Sequence, residues 1–140
     1  MAISFEQFIT KYNGRFVDYD HAFGNQCVDL MRQYCQDVRG VNGYKAIPAT
    51  GNAKDIFKNF VNNSYFSKIY NSPTNAPKKG DIVFFGTYLG LYGWSGHVGV
   101  CTGSDTMNLI LFEQNYPTNS TCRYGKHSYR GCLGWLTPKK

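Results

Sequence analysis

Four residues in this chain have neighbours that could give them chemical use. Cys27 lies in Gly24-Asn-Gln-Cys-Val-Asp-Leu, where a polar, glycine-containing loop meets apolar residues at helical spacing. The backbone N–H groups of a helix start carry partial positive charge. They favour a thiolate, and they can bind an oxyanion developing on a substrate carbonyl. Judged by type alone, a cysteine on an apolar helix face is more often a small core residue. His97 stands in Trp94-Ser-Gly-His-Val-Gly-Val, with a glycine clearing space before it and an apolar run after it. A histidine opening a strand there suits a general base that takes a thiol proton and returns it to a leaving amine. A partly buried, hydrogen-bonded histidine is an equal alternative. His21 and His127 fall in less constrained polar stretches. Glu113 and Asn115 follow the run Leu109-Ile-Leu-Phe and, two residues apart, project from one face of an extended chain. Either could accept from the imidazole N–H and fix its tautomer, and the residues themselves do not rank the two. The plain alternative is the solvated end of an edge strand.

Around Cys27, three of the nine acidic residues (Asp18, Asp20, Asp29) fall within twelve positions. They occupy the first, third and twelfth places of an EF-hand-like spacing, with Ala22 and Gly24 at the fifth and seventh, where backbone carbonyls serve. Hard oxygen ligands of this kind point to Ca2+. Phe23 stands where an EF-hand needs glycine, and the last ligand is the shorter Asp29, so the loop is not an EF-hand. A solvated acidic turn, with Asp29 at a helix N-terminus, is the competing reading.

These side chains need elements to hold them. Ser4 and Gln7 form a capping-box pattern, and Phe5, Phe8 and Ile9 then predict a short helix ending at Asn13-Gly14. Cys27, Leu30, Met31, Tyr34, Cys35 and Val38 outline a second helix starting near Asn25, stopped by Gly40. Residues 41–51 read as turns, after which Ala53, Ile56, Phe57, Phe60 and Val61 outline a third helix. From Lys79 onward the pattern changes to short β-type runs at 82–85, 97–102, 107–113 and 131–136. Helices first and strands second predict an α+β fold with helices packed on an antiparallel sheet. Gly134-Trp-Leu-Thr-Pro-Lys-Lys reads as a last strand entering a linker, as if a further domain once followed.

The 140 residues suffice for one domain, and their dispersed apolar residues include no stretch of the roughly 20 needed to span a bilayer. No Sec signal is visible at the N-terminus, so action outside a cell would require another means of release. Fifteen Lys and Arg against nine Asp and Glu give a charge of +6, suited to a polyanion such as a phosphate-rich cell wall. The basic residues are scattered without a nucleic-acid-binding signature, so no nucleic acid partner is expected. Five cysteines without a C-x-x-C read as free thiols.

Gln-Cys-Val-Asp-Leu at a helix start, Gly-Asp-Ile-Val-Phe-Phe before a strand, Gly-His-Val-Gly-Val on the next, and Glu-Gln-Asn after another resemble the ordered signature of CHAP domains over nearly the whole chain. The resemblance implies a papain-like α+β hydrolase of the kind found in phage endolysins and bacterial autolysins, cutting amide bonds in peptidoglycan stem peptides or cross-bridges. It implies Cys27 as nucleophile, His97 as base, Glu113 as the third catalytic position and Asn115 as the fourth. Because some phage CHAP domains bind calcium in this loop, it also implies side-chain ligation by Asp18, Asp20 and Asp29 and carbonyl ligation by Ala22 and Gly24. The expected protein is a monomer that acts on peptidoglycan without inserting into a membrane. As an endolysin it would wait in the host cytoplasm until a holin opens the membrane. A bacterial autolysin, a non-catalytic wall-binding module and a general papain-like protease are the alternatives. The loops 86–95 and 117–130 are expected to set substrate preference.

Overall fold

A computed structural model describes residues 2–21, 26–88 and 91–139. Helix α1 (Phe5–Tyr12) opens with the expected capping box: the Ser4 hydroxyl accepts from the Gln7 N–H, and the Gln7 carboxamide accepts from the Ser4 N–H. Helix α2 (Cys27–Asp37) begins at Cys27 itself. There the Asp29 carboxylate accepts from the Gln26 N–H at 2.8 Å, and the Gln26 carbonyl accepts from the Asp29 N–H. Leu30, Met31, Tyr34 and Cys35 form its buried stripe.

Residues 41–51 hold more than turns. A single helical turn, α3 (Gly43–Ala46), is capped by the Asn42 carboxamide and tied to α2 by Arg32, whose buried guanidinium donates to the carbonyls of Gly43, Ile47 and Ala49. Only Gly fits at position 43, because a Cβ there would stand 2.6 Å from that of Arg32. Helix α4 (Ala53–Asn59) stops earlier than expected: Phe60 leaves the helix with extended backbone, and Val61 is exposed.

Among the described residues six strands form one antiparallel sheet in the order β1-β6-β2-β3-β4-β5. They are β1 (Phe66–Tyr70), β2 (Ile82–Phe85), β3 (His97–Ser104), β4 (Asn108–Glu113), β5 (Arg123–Ser128) and β6 (Cys132–Pro138). The expected α+β architecture holds, with two additions. β1 and β5 are the edges of the sheet, and neither carries the apolar runs that marked the four inner strands. The two faces of the sheet bury different sets. Ile82, Phe84, Val98, Val100, Phe112 and Leu136 pack with the helices. Val83, Phe85, Cys101, Leu109, Leu111 and Trp135 form a second cluster that includes Tyr92. The period-2 alternation of the inner strands thus serves two cores at once. All five cysteines are free thiols.

Candidate active site

The first residue of α2 and the first residue of β3 meet at the sheet's end. Helix α2 packs against β3, which puts the half-buried Cys27 thiol within hydrogen-bond reach of the buried His97 imidazole. The other side of the ring is fixed: Nε2 lies 2.8 Å from Oε1 of Glu113, the last residue of β4. Since an ionised carboxylate only accepts, Nε2 carries the proton and Nδ1 is left for the thiol. Burial works against the imidazolium, but hydrogen bonds to Cys27 and Glu113, and their charges, outweigh it and raise the imidazole pKa to about 9. Burial would likewise push the Glu113 carboxyl up. Hydrogen bonds from His127 and His97 reverse that and hold it below the usual range. A thiol at a helix start, an imidazole facing it and a buried carboxylate behind the imidazole form the arrangement of a cysteine nucleophile with an oriented base.

Glu113 fits because its neighbours on both flanking strands are glycines. A Cβ at Gly99 on β3 would stand 3.2 Å from the Glu113 Cβ, and one at Gly125 on β5 would stand 1.6 Å from its Oε2. Laid across Gly125, the carboxylate reaches two residues further along β5, to His127, whose Nε2 is 2.7 Å from the same Oε1. The thiol and imidazole open onto a cleft of about 500 Å³ walled by Gln26, Ala53, Trp94, Asn115 and Tyr116.

The acidic residues also converge. Carboxylate oxygens of Asp18, Asp20 and Asp29 lie within 4.8 Å of one another. Burial pushes the Asp29 carboxyl up to about 6. The Gln26 N–H opposes this shift, and the charges of Asp20 and Asp18 add to it. Among the described residues, Asp18 Oδ1 is buried without a hydrogen-bond partner. The His97–Glu113–His127 cluster is equally tight, but its atoms already satisfy one another. The orphaned oxygen and mutual repulsion make the acidic cluster the place that fits a cation.

Comparison with known proteins bears on this geometry. The family model described as CHAP domain matches residues 16–115, a stretch that runs from the acidic loop through Cys27 and His97 to Asn115. The chain belongs to the CHAP family. Endolysin PlyTW of Staphylococcus phage Twort is 29% identical over 145 residues, covering 95% of this chain and 29% of that protein. Among solved structures, the wild-type endolysin LysIME-EF1 matches with a TM-score of 0.74 at 24% identity, over 99% of this chain and 65% of that one. Ly7917 matches with a TM-score of 0.61 at 20% identity, over 97% and 62%. At these identities the two structures speak for the fold alone. The CHAP domain spans less than a third of PlyTW and under two thirds of the two structural relatives.

Within this CHAP domain, Cys27, His97 and Glu113 come together, and Asn115 takes a different place from the one its spacing implied. β4 ends at Glu113, and Asn115 has φ +67°, so the two do not share a strand face. Its carboxamide oxygen accepts from the Asn119 N–H at 2.6 Å, and the residue lines the cleft instead of backing the imidazole. Ala22 and Gly24 lie outside the described residues. The loop 86–95 borders the cleft through Trp94 and Ser95, and 117–130 borders it through Pro117 and Thr118 before continuing as strand β5.

Two residues with defined contacts at the site carried no sequence signal. His127, read as a polar-stretch histidine, is buried on Glu113, because β5 pairs with β4 and turns this side chain inward. Gln114, fully buried, accepts from the Val17 N–H at 2.6 Å and donates to the carbonyls of Val17 and Gln26 at 2.8 Å each. It clamps both ends of the acidic segment to the end of β4, next to Cys27.

Proposed function

We propose that this domain hydrolyses amide bonds of bacterial peptidoglycan, in stem peptides or cross-bridges, through a thiolate acyl-enzyme. The observation that carries the reading is the Cys27 thiol at the start of α2, sharing a cleft with an imidazole that a buried Glu113 holds from behind. Family membership and the endolysin PlyTW support peptidoglycan as the substrate. His97 Nδ1 takes the Cys27 proton, and the sulfur attacks the amide carbonyl carbon. The oxyanion draws on the N–H groups at the start of α2. Collapse breaks the C–N bond as His97 returns the proton to the leaving amine. Water, deprotonated by the same nitrogen, then cleaves the thioester and frees the carboxylate. Glu113 keeps the ring oriented and stabilises the imidazolium throughout. Asn115, on the cleft wall, is placed to contact substrate.

The acidic cluster belongs to the proposal. Asp18, Asp20 and Asp29, with carbonyls of Ala22 and Gly24, would hold a Ca2+ ion, whose charge neutralises the cluster and organises the loop ahead of Cys27. Asp29 links the two sites, since its carboxylate already accepts from the Gln26 N–H. In its biological setting the domain acts as a monomer in phage-induced lysis, retained in the host cytoplasm until a holin releases it to the wall. No described helix is long and apolar enough to cross a membrane.

Mass spectrometry of fragments released from purified peptidoglycan tests the reading. New amine and carboxylate termini in equal number are expected. Their positions separate an N-acetylmuramoyl-L-alanine amidase from an endopeptidase. New reducing sugar ends, or cleavage of unfolded proteins with peptidoglycan left intact, would refute it.

A further inference from the structure

The mechanism above employs one histidine, yet the Glu113 carboxylate holds two. His97 and His127 place their Nε2 atoms 2.8 and 2.7 Å from the same oxygen, Oε1. All three residues are buried, and His127 does not border the cleft. On its far side, His127 Nδ1 lies 2.9 Å from the Tyr92 hydroxyl. These contacts define the proton positions. The ionised Glu113 can only accept, so His127 carries its proton on Nε2, and its Nδ1 accepts from Tyr92. The rings are locked as well: Tyr92 stacks on His97 with 4° between planes, and Tyr116 leans on both imidazoles at 5.1 and 5.6 Å. The titratable groups that face the Glu113–His127 pair are therefore His97 from β3 and Tyr92 from the loop before it, with Tyr116 against the rings.

We propose that His127 is a positioning residue for the Cys27–His97 couple: held in one tautomer by Tyr92, it donates to the Glu113 oxygen that also receives His97, keeping that carboxylate charged and aimed. This rests on the hydrolase reading given above. A carboxylate with two donors on one oxygen has little freedom to rotate, and removing one donor makes its protonated form easier to reach. His127 acts only through Glu113, so its loss should lower kcat and leave KM nearly unchanged.

The test pairs kinetics with a readout that needs no substrate. Imidazole 15N spectra of the wild type should show His127 with Nε2 protonated and Nδ1 bare. His127→Leu should lower kcat about tenfold and move the acid limb of the rate profile up by about one pH unit, with the Glu113 carboxyl 13C titration moving the same way. His127→Gln, which can donate to Glu113 and accept from Tyr92, should restore most of both. An Nδ1–H tautomer in the wild type, or a folded His127→Leu with unchanged kcat and acid limb, would overturn the proposal. Should His127→Leu not fold, the wild-type tautomer and the Gln variant still decide. If the wild type released nothing from peptidoglycan, the hydrolase reading would fall, while the NMR outcome would still report on the His127–Glu113 coupling.

Discussion

Replacing Gln114 by Leu keeps a side chain of similar size in a fully buried position and deletes every polar contact it makes. Three backbone groups lose a partner. The Gln26 carbonyl retains the Asp29 N–H, so its loss is partial. The Val17 N–H and C=O, on a residue 4% exposed, lose their bonds to the carboxamide. Each orphaned buried backbone group costs about 1–3 kcal/mol, and the leucine returns roughly 1–2 kcal/mol by burying apolar surface. A net destabilisation of about 2–4 kcal/mol follows, a large part of the roughly 5–15 kcal/mol of a typical domain. In a chain of this size, that lowers Tm by on the order of 10 °C. Urea denaturation of both proteins, with and without calcium, reads the difference. Activity measured well below the new Tm should still fall, because the clamp sets the strand-to-helix approach at Gln26 and Cys27. A folded variant within 1 kcal/mol of the wild type and with wild-type activity would refute the assignment of Gln114 as the clamp.

Further outcomes follow from the same geometry. Gly125→Ala places a Cβ where Glu113 Oε2 lies, so the carboxylate must move: we expect a cost of about 1–3 kcal/mol and at least a tenfold loss of activity, read by urea denaturation and wall-clearing rates. Calcium at a hundredfold above its Kd should stabilise the domain by about 2.7 kcal/mol, and chelation or Asp18→Asn should abolish the shift in a melting curve. The His97 pKa is raised from 6.5 to about 9 on folding, so its contribution is fully present below pH 6.5 and lost as pH rises through about 9. Urea denaturation should show stability declining between about pH 6.5 and 9, and the decline should be smaller in His97→Gln.

What could be read from the sequence, and what could not, has a physical pattern. The α1 cap, the α2 stripe and the four inner strands each carry a periodicity or a capping residue that local chemistry enforces. The edge strands β1 and β5 are half solvated, so Arg123-Tyr-Gly-Lys-His-Ser shows no alternation, and with that strand missed, His127 could not be placed. Asn115 departs from its expected direction because β4 ends at Glu113 and the chain turns left-handed just after Gln114. Gln114 itself reads as one amide among many: its partners, Val17 and Gln26, lie 97 and 88 residues away, and no local pattern encodes such a contact. Cys27, His97 and Glu113 were legible because each sits at the first or last residue of a regular element, where the pattern changes.

Hydrolysis by this route depends on the Cys27 sulfur, and replacing that one atom group removes it. Cys27→Ala should keep the wild-type melting curve in calcium, bind wall preparations as the wild type does, and release no soluble fragments from them. Fragment release by the folded alanine variant at a rate comparable to the wild type would contradict the account.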